Sequence, residues 1–280
     1  MSARGPLIAI GGAEDRSDEA DILKRVIDWS GKSSPVVGVI TTASAIPDEV
    51  FRDYHATFGT LGAAEVLDIR VRDRTDAADD GFIDLIGRAD VIFISGGDQM
   101  RLTNVFGGSA ALAMIRSRHA QGAVVAGTSA GAACQSRTMV YGGSPDDSLR
   151  KGAVKMAAGF GFVDGVIIDT HFLQRGRFSR LMEVGATNPE YLGVGLGEDA
   201  AVLFEGDLIR AIGPGHVILV DSSSITGSNV FDLDDGEAVT VHNVTMHALI
   251  NGYGYSLRER RVIAPSELEE HSTEQSDAYT

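Results

Sequence analysis

A serine stands between two glycines in AVVAGTSAGAAC, residues 123–134, where an apolar run stops and small residues follow. Gly127, Ser129 and Gly131 form Gly-x-Ser-x-Gly, the pattern of a strand-to-helix elbow in which glycines permit a strained turn and the serine oxygen is held out beyond the strand. Such an oxygen becomes a useful nucleophile when a base takes its proton and a third group orients that base. The chemistry in prospect is attack on an acyl carbon. The N–H of Ala130, next after the serine, suits one oxyanion donor, and the glycine pair in VIFISGGDQ offers a second from Gly97.

The base must come from His55, His119, His171, His216, His242, His247 or His271. His171 directly follows a buried-strand pattern, GVIIDT, which carries it to the sheet edge expected for Ser129. An ordinary α/β-hydrolase esterase runs Ser, acid, His, and would instead draw its base from His216, His242 or His247. The orienting acid is Glu198 or Asp199, at a turn in GLGEDAAVLF. Behind His171 comes HFLQRGRFSR, with Arg175, Arg177 and Arg180 close together in an otherwise acidic chain. A helix starting near Arg177 puts Arg177 and Arg180 on one face by i,i+3 spacing and leaves Arg175 in the preceding loop. A solvated, salt-bridged face is the plain reading. Adjacency to His171 favours capture of a substrate carboxylate, which guanidinium forks hold bidentately.

These residues need a scaffold that brings strand ends together. Apolar runs at 7–10, 36–40, 91–95, 123–126 and 166–169 alternate with helical spacing at 21–29 and 110–118. That pattern predicts an α/β fold with a mostly parallel sheet flanked by helices on both faces. Gly11-Gly12, Thr41-Thr42, Gly96-Gly97 and Gly127-Thr128 close these runs, so several binding loops share one edge. From Leu192 onward, short runs at 200–205, 208–213 and 217–221 predict antiparallel hairpins in the C-terminal third, with a turn at Gly206-Asp207. Residues 1–264 are expected to form a single α/β domain, followed by an acidic, disordered tail at 265–280. A net charge of −15 argues against a nucleic-acid partner, which needs a basic face. The single cysteine, Cys134, forbids an internal disulfide and fits a reducing compartment. With no signal peptide or membrane-spanning run in the sequence, a cytoplasmic protein without a membrane partner is expected. Neither GGAED nor GGDQ gives the G-x-G-x-x-G of a dinucleotide site.

Taken in order, IGGAEDR, SGGDQMRLT, AGTSAGAAC, DTHFLQRGRFSRL and GLGEDAAVLF span about residues 7–205. Together they resemble the cyanophycinases, serine peptidases related to dipeptidase E and, by their flavodoxin-like fold, to class I glutamine amidotransferases. The GGDQ segment and the histidine followed by three arginines separate cyanophycinases from plain dipeptidase E relatives. The resemblance implies a triad of Ser129, His171 and Glu198, backbone donors at Gly97 and Ala130, and a substrate pocket using Gln99, Asp169, Arg175, Arg177 and Arg180. It further implies hydrolysis of cyanophycin, a poly-aspartate backbone bearing arginine on each side-chain carboxyl, with release of β-aspartyl-arginine dipeptides. No metal or cofactor is implied, and a homodimer is. Thr170 departs from the pattern, since typical members carry glutamine there; the change bears on which side chain is accepted. Beyond residue 206 the motifs no longer match one by one. Two other readings are an aspartyl or isoaspartyl dipeptidase resembling dipeptidase E, and a catalytically silent binding module. The intact Ser129, His171 and Glu198 speak against the latter.

Overall fold

The computed structural model of the chain describes residues 4–17, 19–144 and 149–268. Five parallel strands form, β1 (Leu7–Ile10), β2 (Val36–Ile40), β3 (Glu65–Ile69), β4 (Val91–Ile94) and β5 (Val124–Thr128); all but β3, a half-exposed edge strand that the sequence pattern did not indicate, are expected apolar runs. They lie in the order β1-β5-β4-β2-β3. β-Branched side chains suit a pleated surface buried on both faces, which is why these runs are apolar at nearly every position. Successive residues point to opposite layers. Ile8, Ile10, Val37, Val39, Val91, Phe93 and Val124 pack with residues of α1 (Asp21–Asp28) and α2 (Pro47–Thr60). Leu7, Ala9, Ile40, Ile92, Ile94 and Val125 face α3 (Asp80–Arg88), α4 (Gln99–Phe106) and α5 (Ala110–Ala120). Both faces are covered, as the sequence pattern requires. Asp98 caps α4, accepting from the N–H groups of Met100 and Arg101, and so starts that helix immediately after the Gly96-Gly97 turn.

After β5 come α6 (Ala130–Ala133) and a small antiparallel pair, β6 (Thr138–Gly142) with β7 (Lys155–Ala158). The run at Val166–Asp169 is a strand, β8, followed by α7 (Phe178–Thr187) and β9 (Leu192–Leu196). The C-terminal third supplies β10 (Ala201–Glu205), β11 (Leu208–Ile212), β12 (Val217–Asp221), β13 (Gly227–Ser228), β14 (Val241–His242), β15 (Thr245–Leu249), β16 (Gly254–Ser256) and β17 (Arg261–Ile263). β10 and β11 form the expected hairpin across Gly206-Asp207 and extend the parallel sheet, β10 running antiparallel beside β1. β16 and β17 complete nine strands.

One expectation needs correcting. β8 does not join the central sheet but forms a second one, ordered β15-β12-β9-β8. An apolar run records that a strand is buried, not which neighbour it pairs with. β10 already occupies the outer edge of β1, and β8 pairs in parallel with β9 instead. Val166, Ile168, Val194, Leu196, Val217 and Leu219 then close over the layer lined by α3 to α5. Residues 265–268 make a helical turn that buries Leu268, and the rest of the expected tail lies outside the described residues. No helix among the described residues is long and apolar enough to cross a membrane.

Candidate active site

β5 ends at Thr128, and the chain reverses into α6 through Ser129, whose φ of 53° and ψ of −109° lie in a region that non-glycine residues avoid. The turn is held by close backbone approaches on either side. A Cβ at Gly127 would overlap the carbonyl oxygen of Gly131, and one at Gly131 would overlap that of Ile94 on β4. These glycines let α6 sit directly against the parallel strands and leave the serine oxygen at their carboxyl edge.

Ser129 Oγ lies 3.0 Å from Nε2 of His171, and Nδ1 of that ring lies 2.8 Å from Oε1 of Glu198. An ionised carboxylate only accepts, so Nδ1 carries the hydrogen and Nε2 is left to accept from the serine hydroxyl. His171 too has a positive φ, 48°. Gly12 is needed beneath it, because a Cβ there would overlap the imidazole. Three consecutive carbonyls at the end of β1 index the row. Ile10 accepts from Ser129 N–H at 2.9 Å, Gly11 from His171 N–H at 2.9 Å, and Gly12 from Asp199 N–H at 3.0 Å. Although β8 belongs to the second sheet, this seam returns His171 to the edge of the first. The pair of acids is also resolved. Glu198 meets the imidazole, its own N–H donating to Gln174 Oε1 at 3.1 Å, whereas Asp199 turns away to accept from Asp15 N–H. Neither His242 nor His247 approaches Ser129; they lie on β14 and β15, the latter against the Tyr255 ring.

A cleft of about 370 Å³ opens beside Ser129. Gly96, Gly97, Gln99, Thr170, His171, Arg175 and Arg177 line it, whereas Asp169 and Arg180 do not. Among the described residues, the N–H groups of Gly97 and Ala130 have no hydrogen-bond acceptor. Gly97 has φ of 138°, and a Cβ there would overlap the Ala43 carbonyl. Gln99 donates from Nε2 to the Val140 carbonyl at 3.1 Å.

The arginine cluster divides. Arg180 is buried and grips Asp169 with both tines of its fork, Nε to Oδ2 at 3.0 Å and NH2 to Oδ1 at 2.8 Å, while NH1 donates to the Gly143 carbonyl at 3.0 Å. Arg177 reaches the same carboxylate at 2.9 Å and the Thr170 carbonyl at 2.7 Å. Asp169 also accepts from Thr170 N–H. Its burial pushes the carboxyl up from the usual range while the guanidiniums of Arg180 and Arg177 pull it back; burial likewise lowers Arg177. Asp169 is thus already saturated by the protein's own cations. Arg175 is exposed and makes no side-chain hydrogen bond among the described residues.

Sequence reasoning missed Glu14, Arg16 and Tyr54 in the cleft wall. Glu14 is buried, accepting from Thr128 Oγ1 at 2.6 Å and from the Tyr54 hydroxyl. Burial, and then the Glu14 charge, hold the Tyr54 phenol well above its ordinary pKa, so it stays a donor. The signal was in IGGAEDR: an acid two residues past the strand-closing glycines cannot avoid the strand-end edge.

A parallel α/β sheet with a hydroxyl, an imidazole and a carboxylate in line at its carboxyl edge defines a class, that of hydrolases which attack acyl carbon. Residues 7–212 match the profile of Peptidase family S51, and the chain belongs to that family; it is a peptide hydrolase. It is 35% identical over 261 residues to a cyanophycinase of Synechococcus elongatus, covering 92% of this chain and 81% of that protein. It is 33% identical over 263 residues to a cyanophycinase of Geminocystis herdmanii (strain PCC 6308), covering 93% and 97%. The crystal structure of a peptidase from an acI-B1 Actinobacterium superposes with a TM-score of 0.67 at 21% identity, over 90% of this chain and 97% of that one, a likeness of fold.

Proposed function

We propose that the chain is a serine-type exopeptidase that cleaves cyanophycin to β-aspartyl-arginine dipeptides. The observation that carries this reading is the unbroken row from Ser129 Oγ through His171 to Glu198, with spacings of 3.0 and 2.8 Å. Similarity to the cyanophycinases supports the choice of substrate.

In this reading Ser129 Oγ attacks the scissile amide carbonyl as His171 Nε2 takes its proton. The resulting oxyanion is held by the N–H groups of Gly97 and Ala130; removing one such donor usually lowers turnover by about 10²–10³. The C–N bond then breaks, and His171 returns the proton to the leaving amine. Water, deprotonated by the same imidazole, releases the acyl group and restores the serine. Glu198 keeps the hydrogen on Nδ1 throughout and stabilises the imidazolium. Gln99, Arg175 and Arg177 contact the substrate, and Asp169 with Arg180 braces Arg177 from behind. A cytoplasmic homodimer belongs to the same reading, the location resting on the single buried cysteine and the pairing on likeness to the family.

Incubation with purified cyanophycin, followed by mass analysis, is expected to yield β-aspartyl-arginine. Ser129→Ala should keep its fold and retain only the roughly 10³–10⁴ over water that a site without its triad provides. Undiminished cleavage by that variant would reject the mechanism. Cleavage of short aspartyl or isoaspartyl peptides with the polymer left intact would instead support a dipeptidase E-like substrate range.

A further inference from the structure

Among the described residues lining the cleft, the carboxylate side is represented by Glu14 alone and the cationic side by Arg16, Arg175 and Arg177. Glu14 is buried beneath Thr128 and Tyr54, both of which donate to it, and Asp169 is enclosed by arginines. No free acid therefore faces a substrate guanidinium there, in a chain whose net charge is −15. The spare capacity is all of the opposite sign.

Arg16 holds the part of that capacity whose orientation the structure fixes. It lies in the segment joining β1 to α1, with its side chain 38% exposed. Its guanidinium carbon sits 4.5 Å from the centroid of the Tyr54 ring, a stacking that orients the fork. The nearest carboxylate oxygens are 3.8 Å away on Glu14 and 3.6 Å away on Asp53, too far for hydrogen bonds. None of its N–H donors makes a hydrogen bond among the described residues, its two carboxylate neighbours being longer-range ion pairs. The buried Glu14 charge attracts the head without filling its donors, and Tyr54 fixes its plane. The result is an oriented, unsaturated cation in the wall of the cleft that holds Ser129 and His171.

We propose that Arg16 is a specificity-determining residue that binds a substrate carboxylate, acting with Arg175 from a separate loop, so that the cleft selects its substrate by carboxylates and leaves the guanidinium towards solvent. The inference rests on the cyanophycin reading and deepens it. Arginine joined through its amine to a side-chain carboxyl keeps its own α-carboxylate, so each unit of that polymer presents the required anion.

The test is calorimetric titration of the full chain carrying Ser129→Ala, with and without Arg16→Gln, using β-aspartyl-arginine and its dicarboxamide. Loss of a charge-assisted fork should weaken dipeptide binding about ten- to a hundred-fold. Binding of the dicarboxamide should not change, and Arg16→Lys should recover part of the loss. Unchanged dipeptide affinity in the Arg16→Gln chain, or equal weakening of the dicarboxamide, would overturn the proposal. If affinity is unchanged while the wild-type chain cleaves the polymer, the role of Arg16 falls and the functional reading stands. If neither chain binds the dipeptide and the polymer stays intact, both fall.

Discussion

Replacing Arg180 by methionine separates a brace from a substrate contact. Asp169 is 2% exposed and accepts four hydrogen bonds, at 3.0 and 2.8 Å from Arg180, 2.9 Å from Arg177 and 2.9 Å from Thr170 N–H. Arg180→Met removes two of the four and one of the two guanidiniums, leaving a carboxylate in a site that water does not reach. Breaking a buried pair in this way costs about 3–5 kcal/mol. At roughly 2–4 °C per kcal/mol for a domain of this size, the melting temperature should fall by about 10 °C. Removing both charges is much milder when shape is conserved, so Asp169→Leu combined with Arg180→Met should recover more than half of the loss. The assay is thermal unfolding of the wild type, both single variants and the double variant, with KM measured alongside. Arg177 loses its carboxylate anchor only in the two variants that lack Asp169, so KM should rise clearly in those and little in Arg180→Met, where the 2.9 Å Arg177–Asp169 bond remains. If Arg180→Met melts within about 2 °C of the wild type and raises KM only for substrates bearing a carboxylate, the residue contacts substrate and the bracing argument is refuted.

Gly131→Ala gives a test of sign. In a helix alanine is favoured over glycine by up to about 1 kcal/mol, yet here its Cβ would overlap the Ile94 carbonyl oxygen. Overpacking of about 1–3 kcal/mol should win, so the variant melts lower and reacts more slowly with a serine-directed phosphonate; a raised melting temperature would discredit the close-approach account. His119 gives a pH dependence. Burial lowers its pKa from the ordinary value, and Nε2 has no partner among the described residues. The folded chain then binds fewer protons than the unfolded one, so this contribution to stability is present above pH ~6.5 and is lost as pH falls below it. Denaturant midpoints measured from pH 7.5 down to 5 should show His119→Phe with a flatter slope, the new ring keeping the edge contact with Phe162. Parallel slopes would exclude a role for His119.

The strand-to-helix turn at Ser129 was legible in the sequence because its requirements are local: two glycines flanking a serine within five residues, after an apolar run. His171 was legible for a related reason, since a strand pattern immediately before it sent it to an edge. Glu198 and Asp199 could not be told apart by type or spacing, because their difference lies in the backbone. Asp199 has a φ of 51°, and that reversal turns one carboxylate towards the imidazole and the other towards Asp15. The arginines were visible as a cluster, but their division was not. Whether Arg180 serves a ligand or Asp169 depends on how α7 docks on β8, and spacing along one helix does not encode that. Sheet membership of β8 was hidden for the same reason, as parallel pairing is a choice among buried strands with similar composition. Glu14 and Tyr54 meet across a separation of 40 residues, and neither lies in a pattern that names the other.

The three carbonyls of Ile10, Gly11 and Gly12 make the placement of Ser129, of His171 and, through its neighbour Asp199, of Glu198 a common-mode property. Small excursions of that tripeptide carry all three attachment points together, so their mutual spacing survives jostling that would scramble independently mounted loops. The same economy makes the machine brittle in one direction. A slip of β1 by a single residue would shift every reference point at once, and the row from Ser129 through His171 to Glu198 would be broken in one step rather than loosened.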